Sequence, residues 1–230
     1  MRPLAKPEQA AIDAVARHFS AAREEGRGAC LSIGGKRIAI EVATVRKPIA
    51  GGADLARPRL RFDKVALGLV GRLQAALHDS VPDGNTVIVT ITAPIRLPSK
   101  TAATLEDRIR SCLARRSASV AFKDTIHGNQ FQVRLVRSGS RRASKVVGLV
   151  HNPDSDPDAL LHLTQALLQH VGAAAGSSAP GGDRWLVVVD EGGLSHIETY
   201  RQVYAQLCIP TGFRKILMVL PGRRVEVLTE

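Results

Sequence analysis

The sequence predicts an α/β protein built on a mixed sheet, with helices on both faces and an antiparallel insert at about 118–150. Short apolar runs rich in valine and isoleucine, typical of buried strands, alternate with segments whose apolar residues recur four apart, typical of helices. Turns rich in glycine and proline separate these segments. Because strands alternate with helices along the chain, we expect a sheet that is covered on both sides.

The first part of the chain predicts a helix followed by a β-hairpin. Apolar residues recur four apart over 7–25, which indicates a helix. Two alternating runs, 30–33 and 36–42, are separated only by Gly34 and Gly35. Two glycines between such runs are typical of the tight turn of a hairpin.

The middle of the chain predicts two helices around a buried strand, and then the antiparallel insert. The strand carries apolar residues on both faces, so we expect it to be covered on both sides. The predicted segments are a basic loop at 46–61, a helix at 63–78, the strand at 86–92, a helix at 100–115 and three antiparallel strands within 118–150.

The last third predicts two helices and three strands around a linker. A capping Asp156 before Pro157 begins the first of these helices, which reaches about residue 171. The glycine-, alanine- and serine-rich stretch 172–183 predicts a flexible loop. Then follow a strand at 185–189, a helix with a capping box of Ser195 and Glu198, a strand at 215–220 and an edge strand at 224–228. We expect a single domain over 1–230, because the part after the loop would form a marginal core alone.

Composition indicates a basic protein of a reducing compartment. The formal net charge is +11, from 32 Lys and Arg against 21 Asp and Glu, which favours association with polyanions. Cys30, Cys112 and Cys208 are too far apart for a disulfide framework or a zinc knuckle. The first residues lack the apolar stretch of a secretory signal, and no apolar run is long enough for a membrane span. The sequence therefore predicts a cytoplasmic protein with no membrane partner.

Most of the charge lies between residues 108 and 145, which contain ten basic residues and one acid, Asp124, a net of +9. Arginine forks onto phosphate, whereas the aromatic content of 3% disfavours base stacking on single strands. A short basic loop between two predicted strands could follow a phosphate backbone. We therefore predict that duplex nucleic acid is bound by Arg108, Arg115, Arg116, Arg134, Arg137, Arg141, Arg142 and Lys145.

Glu41 lies in the second hairpin strand, within the run Ile-Ala-Ile-Glu-Val. The helix, this hairpin, and the helix and buried strand that follow resemble the restriction-endonuclease-like superfamily over residues 7–92 only. In that family an Asp on one strand and Glu-x-Lys on the other bind Mg²⁺ and activate water, chemistry that needs converging oxygen ligands. Here Ala43 stands where the lysine should be, and Gly28 and Cys30 lie where the Asp should be. The resemblance therefore implies the fold with a degenerate catalytic motif.

The sequence thus predicts a non-catalytic protein that binds duplex nucleic acid and needs no cofactor. Two alternatives stay open: an interaction or assembly protein whose basic face binds an acidic partner or a second copy of the chain, and a metal-dependent phosphodiesterase that uses Glu41. A further cluster, Asp190, Glu191 and His196, could bind a metal, but its spacing also fits a strand-to-helix turn. No phosphate-binding glycine loop or hydrolase elbow motif occurs.

Overall fold

The computed structural model describes residues 5–24, 29–45, 60–115, 121–138, 143–154, 156–175, 183–191, 196–209 and 212–229. The helices of this part of the chain are α1 (Lys6–His18), α2 (Lys64–Leu77), α3 (Pro98–Ala114), α4 (Pro157–Ala175) and α5 (Ile197–Leu207). Its strands are β1 (Ala22–Glu24), β2 (Cys30–Ile33), β3 (Lys36–Val45), β4 (Asn85–Thr92), β5 (Ala121–Ile126), β6 (Asn129–Arg137), β7 (Val146–His151), β8 (Asp183–Asp190), β9 (Lys215–Leu220) and β10 (Arg224–Thr229). Among the described helices, none is both long enough and apolar enough to cross a membrane.

The strands form two separate mixed sheets. The six-stranded sheet has the order β1-β2-β3-β8-β9-β10, in which β3, β8 and β9 are parallel and the outer pairs are antiparallel. The four-stranded sheet has the order β5-β6-β4-β7, in which only β4 and β7 are parallel. Each parallel pair is joined through helices, as parallel strands require.

The two sheets share a central layer of helices. One buried apolar cluster joins α4 and α5 to residues of both sheets, among them Leu186 of β8 and Ile88 of β4. A second cluster packs α2 and α3 on the far side of the four-stranded sheet, and a third packs α1 on the far side of the six-stranded sheet. The order of layers is therefore α1, six-stranded sheet, α4 with α5, four-stranded sheet, α2 with α3. We call the side of each sheet that faces α4 and α5 its inner face.

The packing of α2 on the four-stranded sheet depends on a glycine in β7. A Cβ added at Gly148 would lie 2.2 Å from a Val70 side-chain carbon of α2, well inside van der Waals contact. Val146 and Val150, the neighbours of Gly148 on that side of β7, belong to the same buried cluster as Val70. The missing side chain therefore sets how closely the helix approaches the sheet.

The structure confirms the predicted fold class, since both sheets are mixed and helices cover both faces of each. The predicted hairpin is also confirmed. Gly34 and Gly35 have φ angles of 56° and 76°, and Cys30 lies opposite Ala39. The left-handed region suits glycine, which explains why two glycines form this turn.

The helix predicted over 7–25 ends early, at His18. Ser20 has a φ of 50°, which turns the chain out of the helix, and Ala22–Glu24 then form an edge strand against β2. The Phe19 ring packs edge-on against Trp185, with centroids 4.8 Å apart. Phe19 thus fitted the helical spacing, although its apolar contact lies just beyond the end of the helix.

The prediction of an antiparallel insert is confirmed for two strands and wrong for the third. β5 and β6 form the predicted antiparallel hairpin. β7 instead runs parallel to β4, which lies between β6 and β7. Alternating side chains indicate that a segment is a strand, but they do not specify its neighbours or its direction.

Predicted loops and caps differ from the structure in three places. The loop predicted at 172–183 overlaps α4, which continues to Ala175, and residues 176–182 lie outside the described part of the chain. Most of the predicted basic loop, 46–59, also lies outside it. α5 begins at Ile197 with His196 at the N-cap, and Ser195, the predicted cap, is not among the described residues.

Candidate functional site

Arg108, the first of the predicted nucleic-acid contacts, is already paired with an acid. Its Nε lies 3.1 Å from Oδ2 of Asp124 on β5, and its guanidinium carbon lies 6.0 Å from the centre of the Phe122 ring. Both partners lie on the side of the sheet that packs against α3. The acid that the sequence places within the basic segment therefore neutralises one of its arginines.

Lys145 is also neutralised, by a carboxylate from outside the basic segment. Its ammonium donates to the carbonyl oxygen of Val81 at 3.1 Å and forms an ion pair with Asp83. Only 13% of the side chain is exposed. A largely buried lysine that is already paired would have to break both interactions to reach a phosphate.

Arg134 lies on the opposite face of the sheet from Arg108. Residues of β6 alternate, so that Phe131 and Val133 pack towards α2 and α3, whereas Gln132, Arg134 and Val136 belong to the inner face. A sheet therefore separates two of the arginines that were predicted to share one positive surface.

Arg115 and Arg137 do lie at one end of the four-stranded sheet. Arg137 is opposite Asn85, the first residue of β4, and Arg115 caps the end of α3, where that helix passes the end of α2. Both side chains are exposed, and neither has an ion-pair partner among the described residues. Arg116, Arg141 and Arg142 lie outside the described part of the chain. Two of the eight predicted residues are thus exposed and lie towards the same end of the sheet.

Glu41 forms an ion pair with an arginine of the neighbouring strand. Its Oε2 accepts a hydrogen bond from Nη2 of Arg184 at 2.9 Å, and that guanidinium stacks 4.7 Å from the centre of the Phe213 ring. No group of three His, Cys, Asp or Glu side chains in the described part of the chain could hold a metal ion. Moreover, β3 has β8 as its parallel neighbour, whereas β4 belongs to the other sheet.

Asp190 is a buried hydrogen-bond acceptor at the end of β8. The Tyr200 hydroxyl donates to its Oδ2 at 2.9 Å. Burial, and then the neighbouring Asp190 carboxylate, raise the pKa of Tyr200 far above its usual value. This hydrogen bond links α5 to the end of β8, and it explains the buried carboxylate without any ligand.

A polar pocket opens where β4 and β7 end and α4 begins. It is a cavity of about 560 Å³, formed on the inner face of the four-stranded sheet. This pocket was not predicted from the sequence. Its lining consists of Thr90, Thr92, Lys123, Asp124, Thr125, Gln130, Phe131, Gln132, His151 and Pro157.

The floor of the pocket is two rows of polar side chains that cross neighbouring strands. Ile88, Val147 and Leu149 on the same inner face pack into the central apolar cluster, where α4 and α5 cover the sheet. Because side chains alternate along a strand, the next inner-face residues of each strand can be identified, and they form the two rows. We call them the polar rows: Lys123, Gln132 and Thr90 form the first, and Thr125, Gln130, Thr92 and His151 form the second.

Gln132 and Lys123 join the first polar row to the start of α4. Nε2 of Gln132 donates to Oδ1 of Asp158 at 2.7 Å, and the Lys123 ammonium donates to Oδ2 at 3.0 Å. Burial raises the pKa of Asp158, but these two hydrogen bonds, together with the charges of Lys123 and His162, outweigh burial and hold the pKa below its usual value. Oε1 of Gln132 is buried and has no hydrogen-bond partner among the described residues.

His151 is a neutral hydrogen-bond acceptor at the end of the second polar row. The side chain is 3% exposed, and burial lowers its pKa against the opposing effects of the Asn152 carbonyl and Asp156. Nδ1 lies 2.7 Å from the carbonyl oxygen of Asn152, which can only accept, so Nδ1 carries the proton. Nε2 therefore presents its lone pair to the Thr92 hydroxyl, 3.4 Å away.

The polar pocket combines hydroxyl, amide and imidazole groups at a place where α/β proteins bind ligands. In such folds, ligands lie beyond the carboxyl ends of parallel strands. In the sequence, the site is visible only as alternating polar residues in three strands: Thr-x-Thr of β4, Gln-x-Gln of β6 and Lys-x-Thr of β5. Only the strand order brings these three patterns together.

Comparison with models of known protein families, with curated proteins and with solved structures finds no match.

Proposed function

We propose that the protein binds a small polar molecule in the polar pocket. The observation that carries this proposal is the change along the inner face of the four-stranded sheet from apolar residues under α4 to two polar rows under a cavity. Polar groups kept inside a protein cost free energy unless they are hydrogen bonded. Thr125 and Gln130 line the cavity and are exposed, so a bound ligand can reach their hydroxyl and amide groups.

The proposal is tested by adding a library of polar fragments to isotope-labelled protein and following its NMR spectrum. We expect the largest chemical-shift changes at Thr92, Gln132 and His151. The matched control site is Thr86, which lies on the same face of the same strand but does not line the pocket. Its hydroxyl donates to the carbonyl oxygen of Ser144 at 2.8 Å. Shifts confined to other parts of the chain, or none at all with a broad library, would contradict the proposal.

Duplex nucleic acid is the second candidate, and the supporting observation is that Arg115 and Arg137 are both exposed towards one end of the four-stranded sheet. The pairing of Arg108 and Lys145 with carboxylates argues for fewer phosphate-binding residues than the sequence predicted. An acidic protein surface would suit the same two arginines. The ion pair of Glu41 leaves no observation in favour of a phosphodiesterase.

Binding of a short DNA duplex across a salt series tests this second candidate. Removing one arginine that binds a phosphate should reduce the slope of log affinity against log salt concentration by about 0.9. We expect a reduced slope for Arg115→Ala and Arg137→Ala, whereas Arg108→Ala, the matched control, should change it less because that guanidinium is already paired. Equal effects of all three variants, or no binding at low salt, would reject it.

A further inference from the structure

The two charged residues that line the polar pocket each have a partner of opposite charge. Lys123 is paired with Asp158, and Asp124 with Arg108. At the amino end of α4, the Asp156 carboxylate accepts a hydrogen bond from the backbone N–H of Asp158, where the helix carries a positive partial charge. A charged ligand would therefore find no uncompensated partner among the described residues that line the pocket.

The polar groups that a ligand can reach favour one that both donates and accepts hydrogen bonds. Thr125 and Gln130 line the pocket and are exposed, and each carries a donor and an acceptor. The carboxylate of Asp158, an acceptor, lies beside the first row. A phosphate or carboxylate ligand brings mainly acceptors and would leave the acceptor oxygens of these residues unsatisfied, whereas a hydroxyl group can both donate and accept.

Flat aromatic ligands lack a stacking surface here. Phe131 is the one phenyl ring in the lining, but it is only 3% exposed and packs into the cluster under α2 and α3. The polar groups instead form a grid, about 4.8 Å apart between strands and about 6.8 Å apart along a strand. Such a grid suits several hydroxyl groups spread around one ring.

We infer that the polar pocket takes a neutral polyhydroxylated ligand, a saccharide or cyclic polyol, held by the polar rows. This inference rests on the proposed function and narrows it to a ligand class. Asp158 acts in it as a selectivity residue, because it cancels the charge of Lys123 at the edge of the pocket.

The test compares glucose, maltose and myo-inositol with glucose 6-phosphate and glucuronate by ligand-observed NMR and calorimetry. We expect the neutral compounds to bind the wild-type protein more tightly. Asp158→Asn should leave Lys123 uncompensated and shift the preference towards the anionic compounds by about tenfold, the effect of one charged contact. Asp154→Asn removes an exposed acid that follows β7, outside the pocket lining, and is the matched control.

Three outcomes would overturn the inference. If the anionic compounds bind the wild-type protein more tightly, the ligand class is wrong and the pocket proposal stands. The same holds if only heterocyclic fragments shift Thr92 and His151. If nothing in either set or in the fragment library shifts these residues, both the inference and the proposed function fail.

Discussion

The two inner faces show how the same kind of residue can serve structure in one sheet and form a cavity in the other. On the six-stranded sheet, Glu41 lies opposite Leu186 on the inner face and pairs at 2.9 Å with Arg184, two residues before Leu186 on the same strand. On the four-stranded sheet, polar residues follow an apolar stretch, but they line a cavity of about 560 Å³. Polar side chains at the end of a covered sheet therefore indicate a site only where they face open space.

The largest expected effect tests the layer that both faces share. Leu186→Ala removes a fully buried side chain of the central cluster and should lower the free energy of unfolding by about 2–5 kcal/mol. Because α4 and α5 pack against both sheets, we also predict one cooperative transition in urea. Val65→Ala, at a side chain that is 49% exposed, is the control and should have little effect. Two separate transitions would contradict a single domain.

A smaller effect is expected on the outer face of the four-stranded sheet. Gly148→Ala forces a Cβ against Val70 and should cost about 1–3 kcal/mol through overpacking. Gly71→Ala in α2 meets no atom within 4 Å and should stabilise the helix by about 0.5–1 kcal/mol. Opposite signs in chemical denaturation would support the described packing of α2 on β7, and equal signs would refute it.

The ion pair on the six-stranded sheet should contribute still less to the free energy of unfolding. Glu41 is 42% exposed, so Glu41→Gln should reduce stability by about 1 kcal/mol or less. Addition of Mg²⁺ or Mn²⁺ should leave the melting temperature of both proteins unchanged. A metal-dependent rise in the wild-type protein that the variant lacks would revive the phosphodiesterase alternative.

The smallest effect is a pH dependence at the end of the second polar row. The pKa of His151 is lower in the folded protein than its usual 6.5, so the unfolded chain binds the proton first as the pH falls. Stability should therefore decline below about pH 6.5. Asp158 has a lowered carboxyl pKa and contributes only in more acidic solution. In urea titrations at pH 7.5 and 5.5, the free energy of unfolding of His151→Gln should change less between the two pH values than that of the wild type. An equal change in both proteins would contradict the buried neutral imidazole.

Local patterns in the sequence predicted the elements well and their neighbours poorly. Periodicity and caps located α2, α3 and β4 to within two residues, because those signals depend on nearby residues alone. The direction of β7 and the separation of β3 from β4 depend on contacts distant in sequence. No local pattern reports these contacts.

The same limit explains the outcome at the candidate sites. Counting charges between 108 and 145 found the basic residues, but Asp83 and Asp158, which neutralise Lys145 and Lys123, come from outside that segment. Gly34 and Gly35 correctly predicted the turn of the hairpin between β2 and β3, since a two-residue turn is a local signal. The polar pocket needs four strands in a given order, so its residues were visible in the sequence only as separate alternations.

The affinity of the best polar fragment for three proteins tests the central claim most directly: the wild type, Thr92→Val and Thr86→Val. Both variants remove one hydroxyl from the inner face of β4, but only Thr92 lines the polar pocket. We predict that Thr92→Val weakens binding about tenfold, the effect of one hydrogen bond, and that Thr86→Val leaves it unchanged. Equal affinities for all three proteins would contradict a ligand site on the polar rows.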